Sequence, residues 1–133
     1  MCRAKQRIVD VLKLLLDEHI SPKVTIGLRH RHHLITVCSM IEWEGGNFLG
    51  QEDSVCLREA AVQDFTLVTY DRRTITPLLK SWAEEGSRRS GVIFVDEKTI
   101  SPADLGGLVG ALSALMKETG ELDWTDRVCF LRR

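Results

Sequence analysis

Residues 11–22 read "VLKLLLDEHISP", a short apolar run that stops abruptly on Asp17 and Glu18 and then turns through Ser21-Pro22. A brief apolar segment bounded by polar and turn residues has the pattern of a strand buried on both faces. Ser followed by Pro is a helix start. The Ser oxygen can accept a free N–H of the first turn, and Pro needs no N–H at the first helical position. A strand that passes at once into a helix opens a β–α unit, and the rest of the chain repeats that grammar.

Further strands are expected at "LITVCS" (34–39), "FTLVTY" (65–70), "GVIFV" (91–95) and "RVCFL" (127–131). Between them, a helix over about 52–64 would pack through Cys56, Leu57, Ala60 and Ala61. Thr76-Pro77 and Ser101-Pro102 repeat the Ser-Pro device. The second opens a helix in which Leu105, Leu108, Val109, Leu112, Leu115 and Met116 recur at three- and four-residue spacing. Gly86 and Gly120 stand where helices end on a left-handed residue. Strands alternating with helices imply an α/β fold with a mostly parallel sheet covered on both faces. With no repeat, linker or low-complexity tract, residues 1–133 are expected to form one domain, the first ten being an extension before the first strand.

Composition narrows the function classes. A net charge of −1 provides no global basic field, so any polyanion would be held by a local patch. Aromatic residues make up 6% of the chain, too few for a surface built on stacking platforms. No stretch approaches the roughly 20 apolar residues that span a bilayer. The opening "MCRAKQRIVD" lacks the apolar core of a signal peptide, and the four cysteines are scattered without a C-x-x-C. A cytoplasmic protein is expected, with no membrane partner.

Three of the expected strands end on an acid, at Asp17, Asp71 and Asp96. Asp often turns a chain leaving a strand, so each alone has an ordinary explanation. Parallel strands, however, place their carboxyl ends on one edge, where ligands bind in open α/β sheets. Asp53 falls in the first turn of its helix, three and four residues before Cys56 and Leu57, and so shares their packing face at the same edge. Clustered carboxylates repel one another unless a cation neutralises them, and an all-oxygen set suits Mg²⁺ or Mn²⁺. Metal-assisted phosphodiester hydrolysis is the chemistry such a site suits.

The order "LLLDEHISP", then "GQEDSVCLREAA", "FTLVTYDRR" and "GVIFV" resembles the PIN-like domains, which include the nuclease toxins of bacterial toxin–antitoxin pairs. The resemblance runs from about Val11 to Met116. It implies a three-layer α/β/α sandwich and a Mg²⁺- or Mn²⁺-dependent endoribonuclease, with Asp17, Asp53 and Asp71 as catalytic metal ligands. Glu18 follows the family's opening pattern, and Glu18 and Asp96, the latter a further carboxylate at a strand end, are candidates for an additional metal ligand. Thr69, two residues before Asp71, matches a supporting hydroxyl. The chain departs from the family at Arg73, where relatives often carry another acid. Three carboxylates suit one metal better than two. The partners expected are RNA, an antitoxin protein and a second copy of the chain.

Arg72 and Arg73 follow Asp71 directly and are expected to hold RNA phosphate, with Arg29 and Arg31 of "RHRHH" (29–33) and Arg88-Arg89 as further basic groups. The histidines of "RHRHH" match no usual zinc spacing and are expected in a solvated loop. The glycine-rich loop "IEWEGGNFLGQ" (41–51) is expected to be pinned to the core by Trp43 and Phe48 rather than to act as a flap. Two other function classes fit parts of the pattern. One is a PIN-like fold that binds a partner without catalysis. The other is a phosphoacceptor receiver domain, which needs a Lys after its fifth strand, where this chain has only Arg.

Overall fold

A computed structural model of the chain describes residues 12–32, 35–87, 91–119, 124 and 126–133. The elements alternate as expected: β1 (Lys13–Leu16), α1 (Lys23–Arg31), β2 (Thr36–Ser39), a 3₁₀ turn (Trp43–Gly46), α2 (Asp53–Val62), β3 (Thr66–Thr69), α3 (Arg72–Glu85), β4 (Val92–Val95), α4 (Leu105–Thr119) and β5 (Val128–Leu131). Each strand is four residues long, one or two shorter than its apolar run. The five strands form one sheet in the order β2-β1-β3-β4-β5, and every pairing is parallel.

The continuous apolar character of the strands follows from burial on both faces. Leu14 and Leu16 of β1 turn to one side, with Val68, Ile93 and Val95, where α1 and α4 cover them through Val24, Leu28, Leu108 and Leu112. Leu15, Leu67, Val92 and Phe94 turn to the other, beneath Cys56, Leu57 and Ala60 of α2 and Ile75, Leu79 and Trp82 of α3. The result is a three-layer α/β/α sandwich.

The last crossover differs from the others. The β2–α2–β3, β3–α3–β4 and β4–α4–β5 connections all move the same way across the sheet, yet α4 lies on the face opposite α2 and α3. The β1–α1–β2 connection moves the other way and lies on the face α4 shares, so it has the hand of the first two. The fourth connection therefore has the opposite hand from the other three. Regular doubly wound sheets of this strand order keep one hand throughout.

Two helix starts depart from the expectation. Thr76-Pro77 does not open α3: Pro77 lies inside it, and Asp71 caps it five residues before Thr76 by accepting the Thr74 N–H at 3.0 Å. Pro77 brings no N–H to bond the Arg73 carbonyl, a loss borne near the exposed start of the helix. Ser101-Pro102 likewise makes only a turn, in which Ser101 Oγ accepts from the Ala103 N–H at 3.1 Å. Asp104 then caps α4, accepting from Gly107 at 2.9 Å and pairing with Arg133. In both cases an Asp placed nearer the apolar periodicity takes the cap, and carboxylates suit the helix start. At Ser21-Pro22 the helix does follow directly, with α1 beginning at Lys23, but Pro22 rather than Ser21 holds the cap position, and Ser21 Oγ accepts the Lys23 N–H at 3.2 Å in the same local turn.

Gly86 ends α3 at φ 76°, a left-handed conformation that costs glycine little. The first ten residues, Gly120 and Arg88-Arg89 lie outside the described residues. Among the described residues no helix is long and apolar enough to cross a membrane. Leu14 is fully buried between β2, β3 and the α1–α4 layer. Leu14→Ala is expected to cost about 3 kcal/mol in urea unfolding; a loss below about 1 kcal/mol would remove β1 from the core.

Candidate metal site at the carboxyl edge of the sheet

The site begins with a backbone bond. The Asp17 N–H donates to the Val68 carbonyl at 3.0 Å, extending the β1–β3 ladder one residue past Leu16. Asp17 therefore stands level with Thr69, and both face the α2–α3 side. The Thr69 hydroxyl, fully buried, donates to Asp17 Oδ2 at 2.6 Å. The Glu18 N–H donates to Asp17 Oδ1 at 2.7 Å. Each carboxylate oxygen thus has one partner, which fixes the side chain while leaving lone pairs free.

Thr69 also ties in the second acid. Its oxygen accepts the Asp71 N–H at 3.0 Å, while Asp71 Oδ1 caps α3 through Thr74. One buried hydroxyl therefore joins the ends of two adjacent strands.

Asp53 arrives from the other side, at the first position of α2. It is half-buried above Cys56 and Leu57, the face expected from its spacing. Burial pushes its carboxyl above the usual range, and the charges of Asp17, Asp71 and Glu18 push it further; His19 acts weakly the other way. Cys56, one turn along α2, feels the same field. Burial raises its thiol to about 11, with Asp53, Asp17 and Glu18 contributing. Four acids from three segments thus share one electrostatic environment.

The other expected site residues divide. Arg72 and Arg73 are exposed at the start of α3, on the edge that carries Asp71. Asp96, although at the end of β4, turns its carboxylate to its own loop and to β5. Its oxygens accept the Lys98 N–H at 3.0 Å and lie 3.8 Å from Arg132. It is not among the groups that shift Asp53.

Arg29 and Arg31 occupy the last turn of α1 rather than a solvated loop. That helix has by then run back to the amino-terminal edge, where Arg29 donates to the Val37 carbonyl of β2 at 2.6 Å. They share no surface with the acids, because a crossover helix spans the height of the sheet. His32 lies 3.1 Å from the Ser113 hydroxyl, and His33 is outside the described residues. The loop over 41–51 is pinned as expected: Trp43 is buried, stacks on Phe48 with centroids 4.7 Å apart and meets Phe65 edge-on. The sequence reading missed His19, whose only signal was its place directly after Asp17 and Glu18.

The acids bring only oxygen donors, which fit Mg²⁺ or Mn²⁺. Among the described residues no three His, Cys, Asp or Glu side chains converge closely enough to hold an ion directly. No family model, curated protein or solved structure matched the chain.

The raised Asp53 carboxyl has a consequence for stability. A carboxyl whose pKa is higher folded than unfolded favours the fold while protonated and opposes it once ionised. Its contribution is present below its ordinary value of 3.8 and lost as pH rises through the folded value. Without added metal, Asp53→Asn is expected to raise the melting temperature at pH 7, with the gain vanishing near pH 3. A variant no more stable than the parent at pH 7 would show that Asp53 carries no such strain.

Proposed function

We propose that the chain is a PIN-like, divalent-metal-dependent endoribonuclease of the toxin type, acting in the cytoplasm. The observation that carries this reading is the linkage of Asp17, Thr69 and Asp71, facing an Asp53 whose ionisation all the neighbouring acids oppose. Repulsion of that kind is the cost of a site prepared for a cation. Free Cys38, Cys56 and Cys129 accord with a reducing compartment.

Asp17, Asp53 and Asp71 would hold Mg²⁺ or Mn²⁺, with Glu18 at the rim. When bound, the ion supplies charge neutralisation at the phosphodiester and activation of water. The protein's own part is positional. Thr69 holds the Asp17 carboxylate in one orientation, and the α3 cap holds that of Asp71. Arg72 and Arg73, which pair with no acid among the described residues, would bind the RNA phosphates beside the cluster. Arg73 in place of a further acid favours a single ion. It also keeps open a non-catalytic, RNA- or antitoxin-binding relative of the same fold.

The strand order β2-β1-β3-β4-β5 also favours a second reading, since phosphoacceptor receivers share it. Against that reading stand the opposite hand of the β4–α4–β5 connection and the engagement of Asp71 as a helix cap. The residue after β5 is Arg132, which turns to Asp96 rather than to Asp71.

Asp17→Asn is expected to reduce Mn²⁺-dependent RNA cleavage by about 100-fold or more. It should also abolish the rise in melting temperature that Mn²⁺ gives the unsubstituted chain. Mn²⁺ stabilisation without cleavage would favour the binding protein. Neither effect, together with acetyl-phosphate labelling of Asp71, would favour the receiver.

A further inference from the structure

The row of residues that starts at Asp17 continues across the sheet. Asp17 stands level with Thr69, Thr69 pairs with Phe94, and Phe94 pairs with Phe130 at the outer strand. With neighbouring strands about 4.8 Å apart, Phe130 lies ~14 Å from Asp17 along that row. The two phenylalanine rings stack, with centroids 5.6 Å apart and planes 24° from parallel. Phe130 nevertheless remains 51% exposed. The Arg72 guanidinium lies over its ring, 4.9 Å from the centroid. Arg72 is the residue after Asp71, so the cation that roofs the ring is joined in the chain to the acid site.

We propose that Phe130 and Arg72 form a base-binding subsite, on which an unpaired nucleobase stacks while its phosphate chain runs along the row toward Asp17 and Asp71. The proposal rests on the nucleic-acid reading of the acid site and adds the element that selects single strands. Aromatic rings and guanidinium planes both accept a base by stacking, with little regard for its identity. A base inside a duplex offers no free face to such a ledge. The charge pattern singles out this occupant. A flat apolar ring under one arginine, with exposed Arg73 next to it in the chain, complements a ligand that alternates flat rings with anions, while Arg132 is paired with Asp96. A protein strand added to the β5 edge would cover the ring but leave the guanidinium without an anion.

The sparse aromatic content excludes an extended stacking surface but not one such ledge. The other sheet edge differs in kind: at β2, Arg29 already occupies the outward Val37 carbonyl.

The test is a binding measurement that does not depend on cleavage. A short single-stranded RNA carrying 2-aminopurine is titrated with the chain in EDTA, and both affinity and fluorescence quenching are read. Quenching is expected with the unsubstituted chain and with Phe130→Tyr. Phe130→Ala should lose it and bind about ten-fold more weakly, and Arg72→Ala should also weaken binding. The matched duplex should show no dependence on Phe130. Phe130 is half in water, so its removal should leave the melting temperature within a few degrees of the parent.

Unchanged affinity and quenching in Phe130→Ala overturn the proposal, as does an absence of quenching with the unsubstituted chain. A Phe130→Ala variant that turns a dimer into a monomer by mass while binding RNA as before also overturns it, assigning the ring to a second copy. RNA binding through Phe130 by a chain that never cleaves keeps the subsite and sinks only the nuclease reading.

Discussion

The β1–β3 pairing is the constraint from which the rest of this molecule follows. Two strands distant in sequence lie side by side because the chain leaves β1 outward to β2 and returns on the other side. The register of that pairing sets Leu16 opposite Val68, and the Asp17 N–H to Val68 carbonyl bond carries it one residue further. Only in that register does the Thr69 hydroxyl reach the Asp17 carboxylate. A slip of one residue would put Asp17 on the face opposite Thr69. The apolar alternation of Leu14, Leu15 and Leu16 guards against such a slip, since each must find its own helical layer.

The same edge concentrates charge that the fold itself does not need. Asp17 and Asp71 terminate adjacent strands, and Asp53 begins the helix that crosses between them. Helix starts tolerate negative charge, and the strand ends reach solvent, so the cluster can exist without metal. It does so at a cost that shows in the raised Asp53 carboxyl. By contrast Asp96 turns to Arg132 and to its own loop, away from the group. Proximity to the edge alone does not make a ligand; the partner each carboxylate finds does.

Much of this was legible in the sequence, for identifiable reasons. Strands buried on both faces leave uninterrupted apolar runs, so all five were visible, and Asp53 could be assigned a face from its spacing to Cys56 and Leu57. Thr69 was singled out by the resemblance, and its place two residues before Asp71 put it on the same side of the strand. Helix starts were less secure, because Thr76-Pro77 and Ser101-Pro102 carry a real local preference that Asp71 and Asp104 override. The placement of Arg29 and Arg31 failed for a different reason. Composition shows that basic residues cluster, but only the direction of α1 shows at which edge. The hand of the final connection and the stacking of Phe130 on Phe94 are properties of chain path and register, which no local pattern encodes.

Asp53, Asp17 and Asp71 share one electrostatic environment, the feature on which the proposed divalent cation depends. Carbon-13 NMR of the aspartate carboxyls, titrated with acid in the absence and presence of Mg²⁺, addresses it at the atoms concerned. Asp53 is expected to titrate above the ordinary aspartate range without metal and to move down when Mg²⁺ is added, with the Asp17 and Asp71 signals shifting in the same titration. An Asp53 that titrates as an ordinary exposed carboxyl and ignores Mg²⁺ would contradict that shared environment.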